Sequence, residues 1–268
     1  MPMSVKSSLP LAIHGAAGRL GSALVGLALE GARGGEGWKG ALHGVTVSPT
    51  SPLLGQPIRL SERALTYEVA LPPTLPPGTV VIDVSRAEVV AQHAAQAAEA
   101  GWPLVVGVTG LDAATEAVLT QAAERIPVLL APNFSLGVAL LRQLVQDAAL
   151  MLGPDFDIGI LDIHHRHKRD APSGTARALG DALEAVGRPA EIVAQRLGAV
   201  IGDHTVTFAG PGERLLLTHH AEDRALFARG ALAAAEFLQA QAPGTYEMAD
   251  VLAARRAAQA VAVDKRSS

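Results

Sequence analysis

Cysteine is absent from these 268 residues, aromatic residues make up 3%, and asparagine occurs once, at Asn133. The missing thiol excludes disulfide frameworks, thiolate nucleophiles, zinc knuckles and iron–sulfur ligation, and leaves His, Asp and Glu as the protein metal ligands. Apolar stretches are all broken by Gly, Pro or charge well before the ~18 residues of a membrane span. Met1 to Pro10 holds one lysine and lacks the apolar run of a leader. A cytoplasmic protein with no membrane partner is expected. Broad positive charge is also missing. The formal net charge is −4, which disfavours a binder of nucleic-acid backbones, so any anion site must be local. Only four of the 22 basic residues are lysine: Lys6, Lys39, Lys168 and Lys265.

What is present is an ordinary globular composition, 49% hydrophobic and 18% charged, and at about 150 residues per domain the length suggests two domains. Leu9 to Ile13 is an apolar run ending in Gly15, and from Gly18 onward apolar residues recur at helical spacing. Further runs at Gly40 to Val47, Val80 to Val84, Pro103 to Val108 and Val128 to Leu130 alternate with helical patterns at Ala87 to Ala100 and Asp112 to Glu124. Strands alternating with helices predict a parallel sheet. LPPTLPPG, from Leu71 to Gly78, must be loop, because proline lacks the donor N–H. After Asn133 the texture changes to α+β. Helices are expected at Ser135 to Leu152 and Thr175 to Val186, and strands at Phe156 to Ile163, Thr205 to Ala209 and Leu215 to Thr218. Two last helices, near Ala225 to Ala240 and Ala249 to Ala262, follow. Trp38 and Trp102 read as packing residues.

Gly15-Ala16-Ala17-Gly18-Arg19-Leu20-Gly21 lies between the first strand and the first helix. Glycines there permit positive φ and let backbone amides approach a pyrophosphate, whose charge the helix N-terminus favours; Arg19 adds a side-chain contact. The plainer reading is a tight turn and nothing more. An NAD-preferring site places an acid after the second strand, but here Val47 leads into Ser48-Pro49-Thr50-Ser51. Hydroxyls without a carboxylate permit a 2′-phosphate, and no arginine in that segment attracts one. NADH and NADPH both remain open, with Ser48 as a contact.

His164-His165-Arg166-His167-Lys168-Arg169 puts six cationic or titratable residues in a row, ahead of Asp170-Ala171-Pro172-Ser173-Gly174-Thr175. Three readings compete. One is a solvated loop before a helix capped by Ser173. A metal site through His164, His165 and His167 is disfavoured, since Arg166, Lys168 and Arg169 would repel a cation. The third is an anion site with proton chemistry, in which Ser173, Gly174 and Thr175 offer amides at a helix start and His164 or Lys168 gives a proton. His164 and Lys168 share a face if that segment is helical. His219 and His220 read as strand-end surface residues, and His14, His43 and His93 belong to no motif.

Taken together, GAAGRLG (15–21), VIDVSR (81–86), VGVTG (106–110), APNFSLGV (131–138), HHRHKRDAPSGTA (164–176) and the stretch 202–232 resemble the 4-hydroxy-tetrahydrodipicolinate (dihydrodipicolinate) reductase family over nearly the whole chain. The resemblance implies an N-terminal Rossmann-like α/β domain with a parallel sheet, residues 1–132. It implies a C-terminal α+β domain with an open mixed sheet for substrate binding and oligomerisation, 133–226, and a segment returning to the first domain, 227–268. It implies a homotetramer that transfers hydride from NADPH or NADH to a small dicarboxylic imine. By the same resemblance Gly15, Ala16, Ala17, Gly18, Arg19 and Leu20 bind the pyrophosphate. Gly107, Val108 and Thr109 lie along the cofactor, with Thr109 near substrate, and Ala131, Pro132, Asn133 and Phe134 line the same site. His164 and Lys168 match the proton-handling pair, and His165 with Gly174 and Thr175 the carboxylate contacts. The rival readings are an amino-acid or hydroxy-acid dehydrogenase of similar build and a nucleotide-sensing regulatory protein. A metal-dependent hydrolase ranks last.

Overall fold

Apolar runs followed by helical spacing produce strand and helix in alternation along the first half of the chain. In the computed structural model, which describes residues 9–32, 40–58 and 65–267, these are β1 (Pro10–His14), α1 (Arg19–Ala32), β2 (Ala41–Thr46), β3 (Tyr67–Glu68), β4 (Val80–Asp83), α2 (Ala87–Ala100), β5 (Leu104–Val106), α3 (Ala113–Ala123) and β6 (Pro127–Leu130). Lys6, Lys39 and Trp38 lie outside the described residues, while Trp102 is buried in the core. Every residue of β4 and β5 is buried, as expected of central strands covered on both faces.

Then come α4 (Leu136–Leu152), β7 (Asp157–His164), α5 (Gly174–Ala185), β8 (Glu191–Arg196), β9 (Asp203–Gly210) and β10 (Glu213–His220), and finally α6 (Ala225–Leu238), β11 (Gly244–Tyr246) and α7 (Met248–Ser267). The chain divides into two units, one of Met1–Phe134 with Phe227–Ser268 and one of Ser135–Leu226. In the first, seven strands pair in the order β11-β6-β5-β4-β1-β2-β3, all parallel. The order reverses at β1, between β4 and β2, and the carboxyl ends there form the crevice where such sheets take ligands. Gly230 of α6 packs so closely that a Cβ would fall 1.8 Å from the Phe134 carbonyl oxygen.

In the second unit a mixed sheet runs β10-β9-β7-β8, with β7 and β8 parallel and the other pairs antiparallel. One face buries Ile160, Val206 and Phe208 against α4 and α5 through Leu141, Val145, Leu179 and Leu183. The alternation of buried and open positions along β9 marks a sheet covered on one side. Val193 and Leu216, whose neighbours along their strands face the core, stay 48% and 55% exposed. No described helix is long and apolar enough to cross a membrane.

β3, β8 and β11 were not foreseen from the apolar pattern. β3 and β11 have two and three residues, and β8 alternates exposed with half-buried positions, so none gives an apolar run.

Candidate active site

The glycine-rich turn is built by backbone contact. Gly15 has φ +83°, and a Cβ on it would come within 2.7 Å of the Ser85 backbone; a Cβ on Gly21 would fall 2.2 Å from the Gly15 carbonyl. Glycine is required at both positions for the chain to close. The amides of Gly15 and Ala16 donate to the Thr46 carbonyl, and that of Gly18 to Gly15. Those three amides therefore shape the turn, and Arg19 and Leu20 begin α1 directly after it.

A cleft of about 400 Å³ opens beside this turn, lined by Gly15, Ala17, Gly18, the stretch Thr46 to Pro49, Ser51, Val69, Val84 to Arg86, Val89 and His93. Among the described residues no carboxylate lines it, and Arg86 does. The segment Val47 to Ser51 after β2 holds no arginine; Arg86 reaches the cleft from the loop after β4, far away in sequence. A cradle that a Cβ would fill, a helix start and a wall whose described residues include no acid fit a dinucleotide. Gly107 follows β5 at the same sheet edge, where a Cβ would fall 2.3 Å from the Phe134 ring; the Ala131 amide donates to Val106. Val108, Ala131 and Phe134 are buried, whereas Thr109 and Pro132 are exposed.

Under the cleft lies a network that no sequence motif announced. His14 stacks on His93 with centroids 3.6 Å apart, and its Nδ1 lies 2.8 Å from the Thr46 hydroxyl. His93 Nδ1 is 2.7 Å from Asp83, whose other oxygen accepts from the amide and hydroxyl of Ser85. Burial, with His93 adding to it and Asp83 opposing, pushes the His14 pKa down to about 3.

In the second unit, register places the polar groups. Asp162 on β7 faces His204 on β9, and His204 faces His219 on β10, so the three form one row across the sheet. Two helix caps meet this row. Ser135, capping α4 at the Val138 amide, lies 3.1 Å from His219 Nε2; Ser173, capping α5 at the Ala176 amide, lies 3.2 Å from His204 Nε2. His219, expected at the surface, is half-buried here because its ring takes the space beside Gly137, where a Cβ would come within 2.8 Å. His220 remains exposed and pairs with Asp203 at 3.2 Å.

Asp162 holds the row together. Its Oδ2 accepts from the Ser173 amide at 2.9 Å and lies 3.4 Å from Arg196, while its Oδ1 is 2.8 Å from His164 Nδ1. Burial opposes its charge, but the Ser173 amide and hydroxyl and the nearby His164 and His204 outweigh it and hold its carboxyl below the usual range. Burial lowers His204 to about 4, against the attraction of Asp162. Burial also lowers His164, with Asp162 opposing and Lys168 and Arg196 assisting, so both rings are neutral near pH 7. Atoms of Asp162, His164 and His204 lie within 4.8 Å of one another, a donor set that could hold a cation. Arg196 already occupies the same carboxylate and disfavours one.

The basic segment is not helical, which corrects the one-face spacing of His164 and Lys168. His164 ends β7, and a turn follows in which the Lys168 amide donates to the His165 carbonyl. Lys168 pairs with Asp170 at 2.9 Å. His165 is half-buried with its ring 6.4 Å from that of His167. Ser173 is buried and engaged through hydroxyl and amide, and Gly174 and Thr175 begin α5 directly after it. The sequence reading missed Asp162, Arg196, His204 and Arg86. A charged residue two before His164, inside an apolar strand, was the available signal for the first.

Comparison with known proteins agrees along most of the chain. The family description "Dihydrodipicolinate reductase, N-terminus" matches residues 9–134 and "Dihydrodipicolinate reductase, C-terminus" residues 137–252. A 4-hydroxy-tetrahydrodipicolinate reductase of Thiobacillus denitrificans is 41% identical over 269 residues, covering 91% of this chain and 98% of its own. One from Anaeromyxobacter dehalogenans is 40% identical over 273 residues, covering 91% and 97%. The dipicolinate-bound dihydrodipicolinate reductase from Paenisporosarcina sp. TG-14 shares the fold at a TM-score of 0.68 and 21% identity, over 90% of this chain and 97% of that one. A probable dehydrogenase from Thermotoga maritima shares it more loosely, at a TM-score of 0.60 and 11% identity over 91% and 92%. Matched in both its halves and over 91% of its length, the chain belongs to the dihydrodipicolinate reductase family.

Proposed function

We propose that this chain reduces 4-hydroxy-tetrahydrodipicolinate, a cyclic dicarboxylic imine, to tetrahydrodipicolinate with NADH or NADPH, a step of lysine and diaminopimelate biosynthesis. The observation that carries this reading is the group gathered at the start of α5, where Lys168, Arg196 and the helix N-terminus place positive potential beside the neutral His164 in a chain of this family. The reduced nicotinamide supplies hydride to the substrate ring.

Ala17, Arg19 and Leu20 hold the pyrophosphate of the cofactor, and Ser48 and Arg86 its adenosine end. Gly107 to Thr109 and Ala131 to Phe134 continue that site toward the nicotinamide. Gly174, Thr175 and His165 grip the substrate carboxylates by charge-assisted hydrogen bonds. Hydride arrival leaves negative charge on the ring, and His164 or Lys168 delivers the proton that quenches it. Residues 133–226 thus serve as the substrate-binding and oligomerisation domain, and residues 1–132 with 227–268 as the cofactor domain. The exposed Val193 and Leu216 on the open sheet face support a homotetramer assembled there, working in the cytoplasm.

A coupled assay with the upstream synthase tests the reading, following cofactor absorbance with NADH and NADPH separately. Oxidation of either cofactor that depends on the synthase product is expected. Oxidation of an amino or hydroxy acid with NAD, and none of the synthase-dependent signal, would favour the rival dehydrogenase.

A further inference from the structure

The residues that meet the basic loop from inside the sheet do more than pack. Asp162 has 0% exposure and lies two residues before His164 on β7. Its Oδ1 is 2.8 Å from His164 Nδ1 and 3.3 Å from His204 Nε2. Apart from this close approach neither Oδ1 nor His164 Nδ1 has a hydrogen-bond partner, both are buried, and His204 Nδ1 is likewise buried without one. Leaving Oδ1 and His164 Nδ1 unshared would cost the full desolvation of each, so the proton lies between them.

Two imidazoles approach one oxygen, and Ser173 decides between them. Its Oγ accepts from the Ala176 amide and, through its second lone pair, from His204 Nε2 3.2 Å away, while its own proton goes to the Asp162 carboxylate. The His204 proton therefore sits on Nε2 and is spent on Ser173, which avoids a buried, unpaired N–H at Nδ1 and withdraws that ring from the contest for Oδ1. His164 then carries its proton on Nδ1 and keeps a lone pair on Nε2. A Cβ at Gly202 would come within 2.9 Å of that Nε2, so glycine there leaves the nitrogen uncovered.

We infer that Asp162 is a positioning residue that fixes His164 as the Nδ1–H tautomer and thereby makes Nε2 the atom that exchanges a proton with substrate. This rests on the role given to His164 above. The charged and titratable groups around the imidazole are Asp162 on its own strand, Arg196 on β8, His204 on β9 and Lys168 in the loop. Arg196 balances the Asp162 charge, so the carboxylate orients the ring without forcing a second proton onto it.

Nitrogen-15 NMR of the full chain with NADPH bound tests the tautomer, with His164→Gln assigning the signals. Near neutral pH the expected result is a protonated Nδ1 and a bare Nε2 at His164; the reverse overturns the inference, and this readout needs no folded Asp162 variant. In the synthase-coupled assay, Asp162→Asn should lower kcat by about 10- to 100-fold with KM within about threefold. It should also move the pH limb that His164→Gln abolishes toward lower pH, because the charge favouring imidazolium is gone. Asp162→Glu should restore part of both. In the double variant Asp162→Asn/His164→Gln, the Asn should add less than about twofold. Unchanged kcat in His164→Gln would remove the role of His164 itself. A low kcat there, beside wild-type kcat and pH limb in a folded Asp162→Asn, would overturn the positioning role alone.

Discussion

Burial keeps His14 and His204 neutral, at pKa values of about 3 and about 4, while in an unfolded chain each titrates near 6.5. The unfolded state therefore takes up protons that the folded state refuses. Stability from these two side chains is full above pH 6.5 and falls as pH drops toward 4, by up to about 1.4 kcal/mol per pH unit for each. Asp83 and Asp162, held below the usual carboxylate range, extend the loss to still lower pH. Urea unfolding at pH 7 and pH 5 should show this decline, and His14→Gln should make it shallower; equal slopes would mean that His14 is not the neutral group described here. At the same scale, His164→Gln should lower kcat by about 100-fold or more while leaving cofactor affinity within about twofold, checked by steady-state rates and cofactor titration.

The turn between β1 and α1 was legible because its chemistry is local: the glycines, the preceding apolar strand and the helical spacing lie within a dozen consecutive residues. Gly21→Ala should abolish cofactor binding, since the added Cβ meets the Gly15 carbonyl at 2.2 Å. Fluorescence titration with NADPH, beside circular dichroism to confirm folding, checks it. Arg86 was not legible, because what brings it to the cleft is the pairing of β1 with β4 and not its place in the chain. Arg86→Ala should raise the KM for NADPH by about tenfold and that for NADH by less than about threefold, as loss of one charged contact to a 2′-phosphate would. Equal effects on both cofactors would place Arg86 elsewhere on the nucleotide. The row Asp162–His204–His219 escaped for a similar reason. Cross-strand register is a tertiary property, and a histidine in a short strand carries no period of its own.

For the whole molecule, the alternation of strand and helix followed by a change of texture after Asn133 conveyed two architectures, a parallel sheet and a mixed one, because each imposes its own burial pattern on the sequence. What that pattern could not convey was which sheet face stays open, as Val193 sits in a strand that alternates only between exposed and half-buried positions and Leu216 in one exposed along most of its length. Leu216→Asp should dissociate a tetramer built on that face, seen as a smaller species in sedimentation velocity with secondary structure retained; an unchanged species would move the subunit contact elsewhere. The account as a whole depends on positive potential at the start of α5 holding a dianion. Calorimetry of pyridine-2,6-dicarboxylate binding to the full chain with NADPH present measures this most directly. Lys168→Ala should weaken binding by about 10- to 100-fold, and Arg125→Ala, an exposed change in the first unit, should not alter it. Dicarboxylate binding of equal strength in the wild type and in Lys168→Ala would contradict the account.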